Sequence, residues 1–203
     1  MAVTKKFSAE AIRNAYQAGL RDFGENYVQE FAQKQPELRD TSEARFHLIG
    51  HLQSNKARLA SELFHVIETA DSAKLLARLD AAAADLKTSP RVLIEVKLSD
   101  EKDKTGALPE ELPQLLDAAR ECTRISVSGL MTMPPWSTDP EQSRSYFQEL
   151  ARLARQNGLT ELSMGMSGDF EVAIEEGATI IRVGTALFGP RPKPHKPPLP
   201  LAS

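Results

Sequence analysis

Eight short apolar runs, each bounded by turn residues and followed by helix-spaced residues or loops, limit the folds open to this chain. They lie at 2–5, 22–24, 46–49, 66–68, 92–97, 125–130, 161–163 and 180–183. A short apolar run between turn signals reads as a strand buried on both faces. Helical spacing fills the intervals. Ala11, Ile12, Ala15 and Tyr16 share one face ahead of Gly19, and 72–86 is rich in Ala and Leu with interleaved charges. Leu112, Leu115, Leu116 and Ala119 repeat at helical spacing, as do Tyr146, Phe147, Leu150 and Leu153, and Ala173, Ile174 and Ala178 continue it with Gly177 near the end. Strict alternation of strand and helix predicts an α/β fold with a parallel sheet. Eight repeats close a single TIM-type (β/α)8 barrel; fewer would leave an open, doubly wound sheet.

A barrel of this kind often fills roughly 200–250 residues as one domain, and the chain has 203. Residues 1–190 are assigned to the barrel. From 191 to 203 the prolines block regular structure, and that tail is expected to be extended or disordered. The chain begins almost on its first strand, so the wall between last and first strands is expected to lack its own covering helix, although a parallel barrel needs both faces of its wall covered.

Charge and composition exclude several function classes. A formal net charge of −3 argues against nucleic acid as the main partner, which needs a concentrated basic face. No apolar run is long enough to span a bilayer, and no signal-peptide pattern opens the chain. Cys122 is the only cysteine, which excludes an intrachain disulfide and suits a reducing cytoplasm. No Cys, His, Asp or Glu set has metal-site spacing, so no metal is expected.

In a closed barrel the first and last strands are neighbours, and chemistry sits at the strands' C-terminal ends, often with a phosphate site in the loops after the last two. Here those loops run from Met164 through Gly165, Met166, Ser167 and Gly168 to Asp169, and through Gly184 and Thr185. Glycines let backbone approach an anion closely, Ser167 and Thr185 add hydroxyls, and a helix starting near Ser167 would aim its N–H groups there. Taken alone, Ser167 could be a plain N-cap and the glycines plain turns; together the two loops point to phosphate. Lys5, at the end of the first strand, faces the same mouth. Alternation sends Lys5 and Lys6 to opposite faces, so at most one points inward. An amine opposite a phosphate cradle is what holds a phosphorylated aldehyde as a Schiff base, pyridoxal phosphate being the obvious candidate.

Other residues could contribute. Arg182 is a permanent charge in a barrel wall, either paired with a buried carboxylate or touching the ligand; ligand contact is favoured. Asn26, after Phe23, Gly24 and Glu25, could equally cap a helix or meet a ligand. His47 and His51 flank Leu48, Ile49 and Gly50. A lone strand histidine is more often a structural residue than a ligand, yet His47 is kept among the candidate contacts. The charged loop 99–106 is expected to be solvated, though placed to fold over the mouth, and Met131, Met133 and Trp136 are assigned to packing.

The same segments resemble the pyridoxal-phosphate homeostasis (YggS/PROSC) family. The resemblance runs from Ala2 to Arg191 and rests on five blocks: Phe23-Gly24-Glu25-Asn26-Tyr27-Val28-Gln29-Glu30, His47-Leu48-Ile49-Gly50-His51-Leu52-Gln53-Ser54-Asn55-Lys56, Gly129-Leu130-Met131-Thr132, Leu162-Ser163-Met164-Gly165-Met166-Ser167, and Arg182-Val183-Gly184-Thr185-Ala186-Leu187-Phe188-Gly189. It implies a single barrel like the alanine racemase N-terminal domain. It also implies pyridoxal phosphate linked to Lys5, with its phosphate around Ser167, Gly184 and Thr185 and its pyridine nitrogen facing Arg182. The family's leading N-terminal helix is absent from this sequence. The family's usual Ser-Lys-Thr-Lys-Pro is replaced by Thr4-Lys5-Lys6-Phe7-Ser8, with Lys6 the lesser alternative to Lys5. The function expected is a non-catalytic carrier of pyridoxal phosphate, a cytoplasmic monomer, with apoenzymes that require the cofactor as candidate partners. The alternatives are an amino-acid racemase or other pyridoxal-dependent enzyme, and a Schiff-base aldolase on the same barrel.

Overall fold

The computed structural model describes residues 1–101 and 104–189. Eight strands run in chain order around one sheet: β1 (Ala2–Val3), β2 (Asp22–Glu25), β3 (Arg45–Leu48), β4 (Val66–Ala70), β5 (Arg91–Glu95), β6 (Ser126–Met131), β7 (Glu161–Met166) and β8 (Ile180–Arg182). Every neighbouring pair is parallel. The ends meet: Ala2 forms a parallel bridge with Val183, and the Val3 N–H donates to the Val183 carbonyl at 2.9 Å. An open doubly wound sheet places its first strand in the interior and keeps two unpaired edges, so sequential strand order with the two ends bridged decides for the barrel. The tail expected at 191–203, the barrel's boundary at 190, and residues 102–103 of the charged loop lie outside the described residues.

Helices α1 (Ala9–Gln17), α2 (Val28–Lys34), α3 (Ala57–Leu63), α4 (Ala73–Leu86), α5 (Leu112–Arg120), α6 (Arg144–Gln156), α7 (Phe170–Glu175) and α8 (Thr185–Phe188) follow the strands. Local chemistry sets their limits. Ser8 caps α1 by accepting the Ala11 N–H, Ser72 caps α4 by accepting that of Leu75, and Gly19, at φ +100°, turns the chain out of α1.

Alternation along the strands separates two cores. Phe23, Phe46, Leu48, Ile67 and Val92 point outward and pack with helical residues such as Ile12, Phe31, Leu75 and Leu79. Ile94, Leu130, Leu162 and Met164 do the same with Leu112, Leu116, Phe147 and Leu150. Inside the barrel Val66, Leu93 and Met131 form a small apolar cluster with Met133 and Ile180. Cover over the β8–β1 seam is thin: α8 has four residues, Ile181 and Val183 are only half-buried, and the Phe188 ring packs on Phe7 with centroids 5.0 Å apart.

Close approach of β6 and β7 depends on Gly129. A Cβ there would lie 2.1 Å from the Glu161 carbonyl oxygen, and backbone cannot yield as a flexible side chain can. Gly129→Ala is therefore expected to destabilise the barrel by about 3 kcal/mol or more, the upper end of overpacking costs. Urea unfolding measures this, and wild-type stability in the variant would contradict the packing described.

Candidate functional site

At the C-terminal ends of the strands opens a cavity of about 350 Å³, within the ~300–1,000 Å³ usual for small-molecule sites. Its wall includes Lys5, Asn26, Ser167, Arg182, Gly184 and Thr185, with Met133, Pro135 and Trp136 on one side. Six of the seven candidate residues therefore share one cavity. The seventh, His47, is not among the lining residues and lies buried inside the barrel.

The turn that follows β1 carries Lys5 to the mouth. Val3 and Lys5 line the cavity, while Thr4 between them is buried and bonded to Glu25 Oε1 at 2.8 Å. Lys6 is exposed, has φ +66°, and does not line the cavity. Of the two lysines, Lys5 is the one facing the mouth.

Ser167 does not start a helix. Asp169 is the N-cap of α7, which begins at Phe170, and Asp169 is held by the Met166 N–H at 2.7 Å and the Ser143 hydroxyl at 2.8 Å. The Ser167 Oγ instead accepts the N–H groups of Gly184 and Ala186 at 3.3 and 3.4 Å, tying the loop after β7 to the loop after β8. The glycines divide their roles. At Gly165, φ is +88° and a Cβ would lie 2.5 Å from that of Ala173, so Gly165 serves the packing of α7; Gly168 has open space around it.

Asn26 is not a helix cap. Tyr27 precedes α2, and the Asn26 Oδ1 is buried with no hydrogen-bond partner among the described residues. A buried polar atom is normally paired, and from a cavity wall this oxygen can accept from a donor on a bound molecule. A Cβ at Gly50 would lie 2.2 Å from the Asn26 carbonyl oxygen, so close packing there holds Asn26 in place.

Arg182 has both kinds of neighbour that the sequence left open. It lines the cavity, and its guanidinium donates to Ser163 Oγ at 2.7 Å and to the Thr132 carbonyl at 2.8 Å. Burial draws its pKa below the usual value against the pull of Glu68, Glu95 and Asp169. Ser163 donates in turn to Glu68 Oε2 at 2.5 Å. Glu68 Oε1 meets His47 Nδ1 at 2.7 Å, and His47 Nε2 meets Asp22 Oδ1 at 3.1 Å. A hydrogen-bonded line therefore crosses the interior from Asp22 to the cavity.

Two carboxylates flank the His47 ring, so both ring nitrogens are called on to donate, which only the imidazolium can do. Burial would lower the His47 pKa, but its bonds to Asp22 and Glu68 outweigh that and raise it. Burial likewise would raise Glu68, and the His47 bond together with the charges of His47 and Arg182 holds it below the usual carboxylate range. Neither Glu68 nor Ser163 was singled out from sequence. The available signal was parity: Glu68 is two residues from the interior-facing Val66, and so shares its face.

Met131 packs inside the barrel as expected. Met133 packs against the same interior cluster and also lines the cavity, whereas Trp136 differs from expectation: it is 82% exposed on the rim, carried there by the loop after β6. Among the described residues no cluster of three or more His, Cys, Asp or Glu could hold a metal ion, and no helix is long and apolar enough to cross a membrane.

The family profile described as the alanine racemase N-terminal domain matches residues 1–192. A pyridoxal phosphate homeostasis protein of Aquifex aeolicus is 41% identical over 197 residues, covering 94% of this chain and 86% of that protein. One of Escherichia coli is 39% identical over 203 residues, covering 94% and 85%. Among solved structures, PipY of Synechococcus elongatus with PLP bound superposes with a TM-score of 0.86 at 44% identity, covering 93% of this chain and 91% of that one. An alanine racemase of Clostridium difficile superposes at 0.75 with 12% identity, covering 95% of this chain and 52% of that one, a likeness of fold alone.

The raised His47 pKa gives stability a pH dependence. The folded protein keeps a proton that the unfolded chain gives up above about pH 6.5. That contribution is complete below the unfolded value and is lost as pH rises through the folded one. Unfolding free energy, measured by urea titration across a pH series, is expected to fall over that window, and less steeply in His47→Gln. Identical slopes for the two proteins would contradict a charged His47.

Proposed function

The chain belongs to the pyridoxal phosphate homeostasis proteins of the alanine racemase N-terminal-domain family, and from that premise we propose that it binds pyridoxal 5′-phosphate and acts as its carrier. The observation that carries this reading is one cavity wall holding the Lys5 side chain, the unpartnered Asn26 Oδ1, the buried Arg182 cation and the loops of Ser167, Gly184 and Thr185. These residues fit the group. Bound pyridoxal phosphate supplies an aldehyde that condenses reversibly with amines. Lys5 provides the amine that holds it covalently. The hydroxyls and backbone of Ser167, Gly184 and Thr185 suit the phosphate, and Asn26 Oδ1 can accept a hydrogen bond. Arg182 serves the ring nitrogen. His47 acts at one remove, through Glu68 and Ser163, by keeping Arg182 in place.

The same wall favours carriage over catalysis. A permanent cation at the ring nitrogen opposes protonation there and so weakens the cofactor as an electron sink. Amino-acid chemistry also needs a positioned acid or base. Among the described lining residues, no tyrosine or histidine is present, and the Asp169 carboxylate is already engaged by Met166 and Ser143. Reversible capture suits a protein that limits free aldehyde in the cytoplasm, works as a monomer, and passes the cofactor to apoenzymes that need it.

The purified protein incubated with pyridoxal phosphate is expected to show visible absorbance that borohydride bleaches, with the reduced label on the peptide carrying Lys5. A label confined to another lysine would refute the site. The same preparation is expected to leave L-alanine and L-serine unracemised, and sustained inversion in a chiral assay would replace the carrier with an enzyme.

A further inference from the structure

Behind the cavity, on the outer side of β1 and β2, a second charge cluster, built on the buried Glu25 and half-buried at Glu30, surrounds the backbone of Lys5. Lys34, on α2, donates to the Thr4 carbonyl at 3.1 Å and to both Glu25 oxygens, at 2.9 and 3.2 Å, and its ammonium forms an ion pair with Glu30 Oε1 at 2.6 Å. The Glu25 side chain is fully buried and also accepts the Thr4 hydroxyl. Glu30 Oε1 accepts the backbone N–H of Lys6 at 2.6 Å. One ammonium therefore holds the carbonyl just before Lys5 directly and, through Glu30, the N–H just after it.

The turn needs holding. Lys6 has φ +66°, left-handed backbone that a long L side chain adopts only where its surroundings impose it. The Phe7 N–H closes the same turn on the Thr4 carbonyl at 3.0 Å. None of Glu25, Glu30 or Lys34 lines the cavity. We propose that Lys34 and Glu30 are positioning residues that clamp the turn around Lys5, so that its side chain stands in the cavity ready to capture the aldehyde. The function of such a clamp is rate: a nucleophile held in place reacts faster than one that samples many poses, and a displacement of about 1 Å can cost ~100-fold.

This inference rests on the carrier reading, and two ligands separate its failure from that of the reading. Pyridoxal 5′-phosphate reports capture, followed by absorbance and borohydride fixation at Lys5. Pyridoxine 5′-phosphate has no aldehyde and reports binding alone, by calorimetry. Glu30→Ala is expected to slow capture roughly 10- to 100-fold while leaving pyridoxine 5′-phosphate affinity unchanged. Glu30→Gln, which keeps an oxygen for the Lys6 N–H, is expected to fall between the variant and the native protein. A merely structural role would weaken both ligands together and so overturn the clamp, as would native capture rates in Glu30→Ala. If Glu30→Ala does not fold, Glu30→Gln decides by the same two readouts: slower capture with intact analogue affinity supports the clamp, and native capture overturns it. Failure of the native protein to be labelled at Lys5 would end the carrier reading and this inference with it, whereas a labelled native protein matched in rate by the variant would end this inference alone.

Discussion

The pairing of β1 with β8 is the constraint on which the site depends. The Val3 N–H to Val183 carbonyl bond closes the ring and sets the start of the chain beside Gly184 and Thr185. No local structure could bring them together, because almost the whole chain lies between. Closure also gives every strand a partner on both sides, which removes the sheet edges and gathers all eight C-terminal ends at one mouth. Val3 on β1 and Lys5 in the turn after it then line the cavity with the loops that Ser167 ties together.

Two ionic systems, each built on a buried glutamate, stand behind the cavity wall on opposite sides. Inside the barrel, Asp22, His47, Glu68 and Ser163 lead to Arg182. Outside it, Glu25, Lys34 and Glu30 surround the Lys5 turn. Buried ion pairs are poor sources of net stability, since desolvation offsets much of their attraction, and breaking one leaves an uncompensated charge. What they supply here is orientation. Arg182 can sit in the barrel wall because Ser163 and the Thr132 carbonyl take its N–H groups and Glu68 stands behind Ser163, while it still lines the cavity.

The strands were legible because parallel barrel strands are buried on both faces and read as continuous apolar runs. All eight fall where the runs lie, with ends moved by a residue or a few: β7 runs on to Met166, and β1 stops at Val3 because the turn begins before Lys5. The short helices were less legible. At seven residues each, α2 and α3 span barely two turns, too few for a helical period to stand out. The residues of the cavity were legible through their place at strand ends, but their partners were not. Ser167 resembles an N-cap in sequence, and only the neighbouring loop shows that its oxygen bonds Gly184 and Ala186. Glu68 and Ser163 lie 95 residues apart and meet across the barrel, a proximity no local pattern encodes. Trp136 reads as a core residue by type, yet the loop after β6 carries it to the rim.

The central claim is that the Lys5 amine and the loops of Ser167, Gly184 and Thr185 face each other across a space that one pyridoxal phosphate molecule bridges. A crystal structure of the protein soaked with pyridoxal 5′-phosphate tests this most directly. The account expects continuous electron density from Lys5 Nζ to the pyridine ring, with the phosphate against those two loops. Density joined to another side chain, or a phosphate lodged elsewhere with Lys5 turned to solvent, would contradict it.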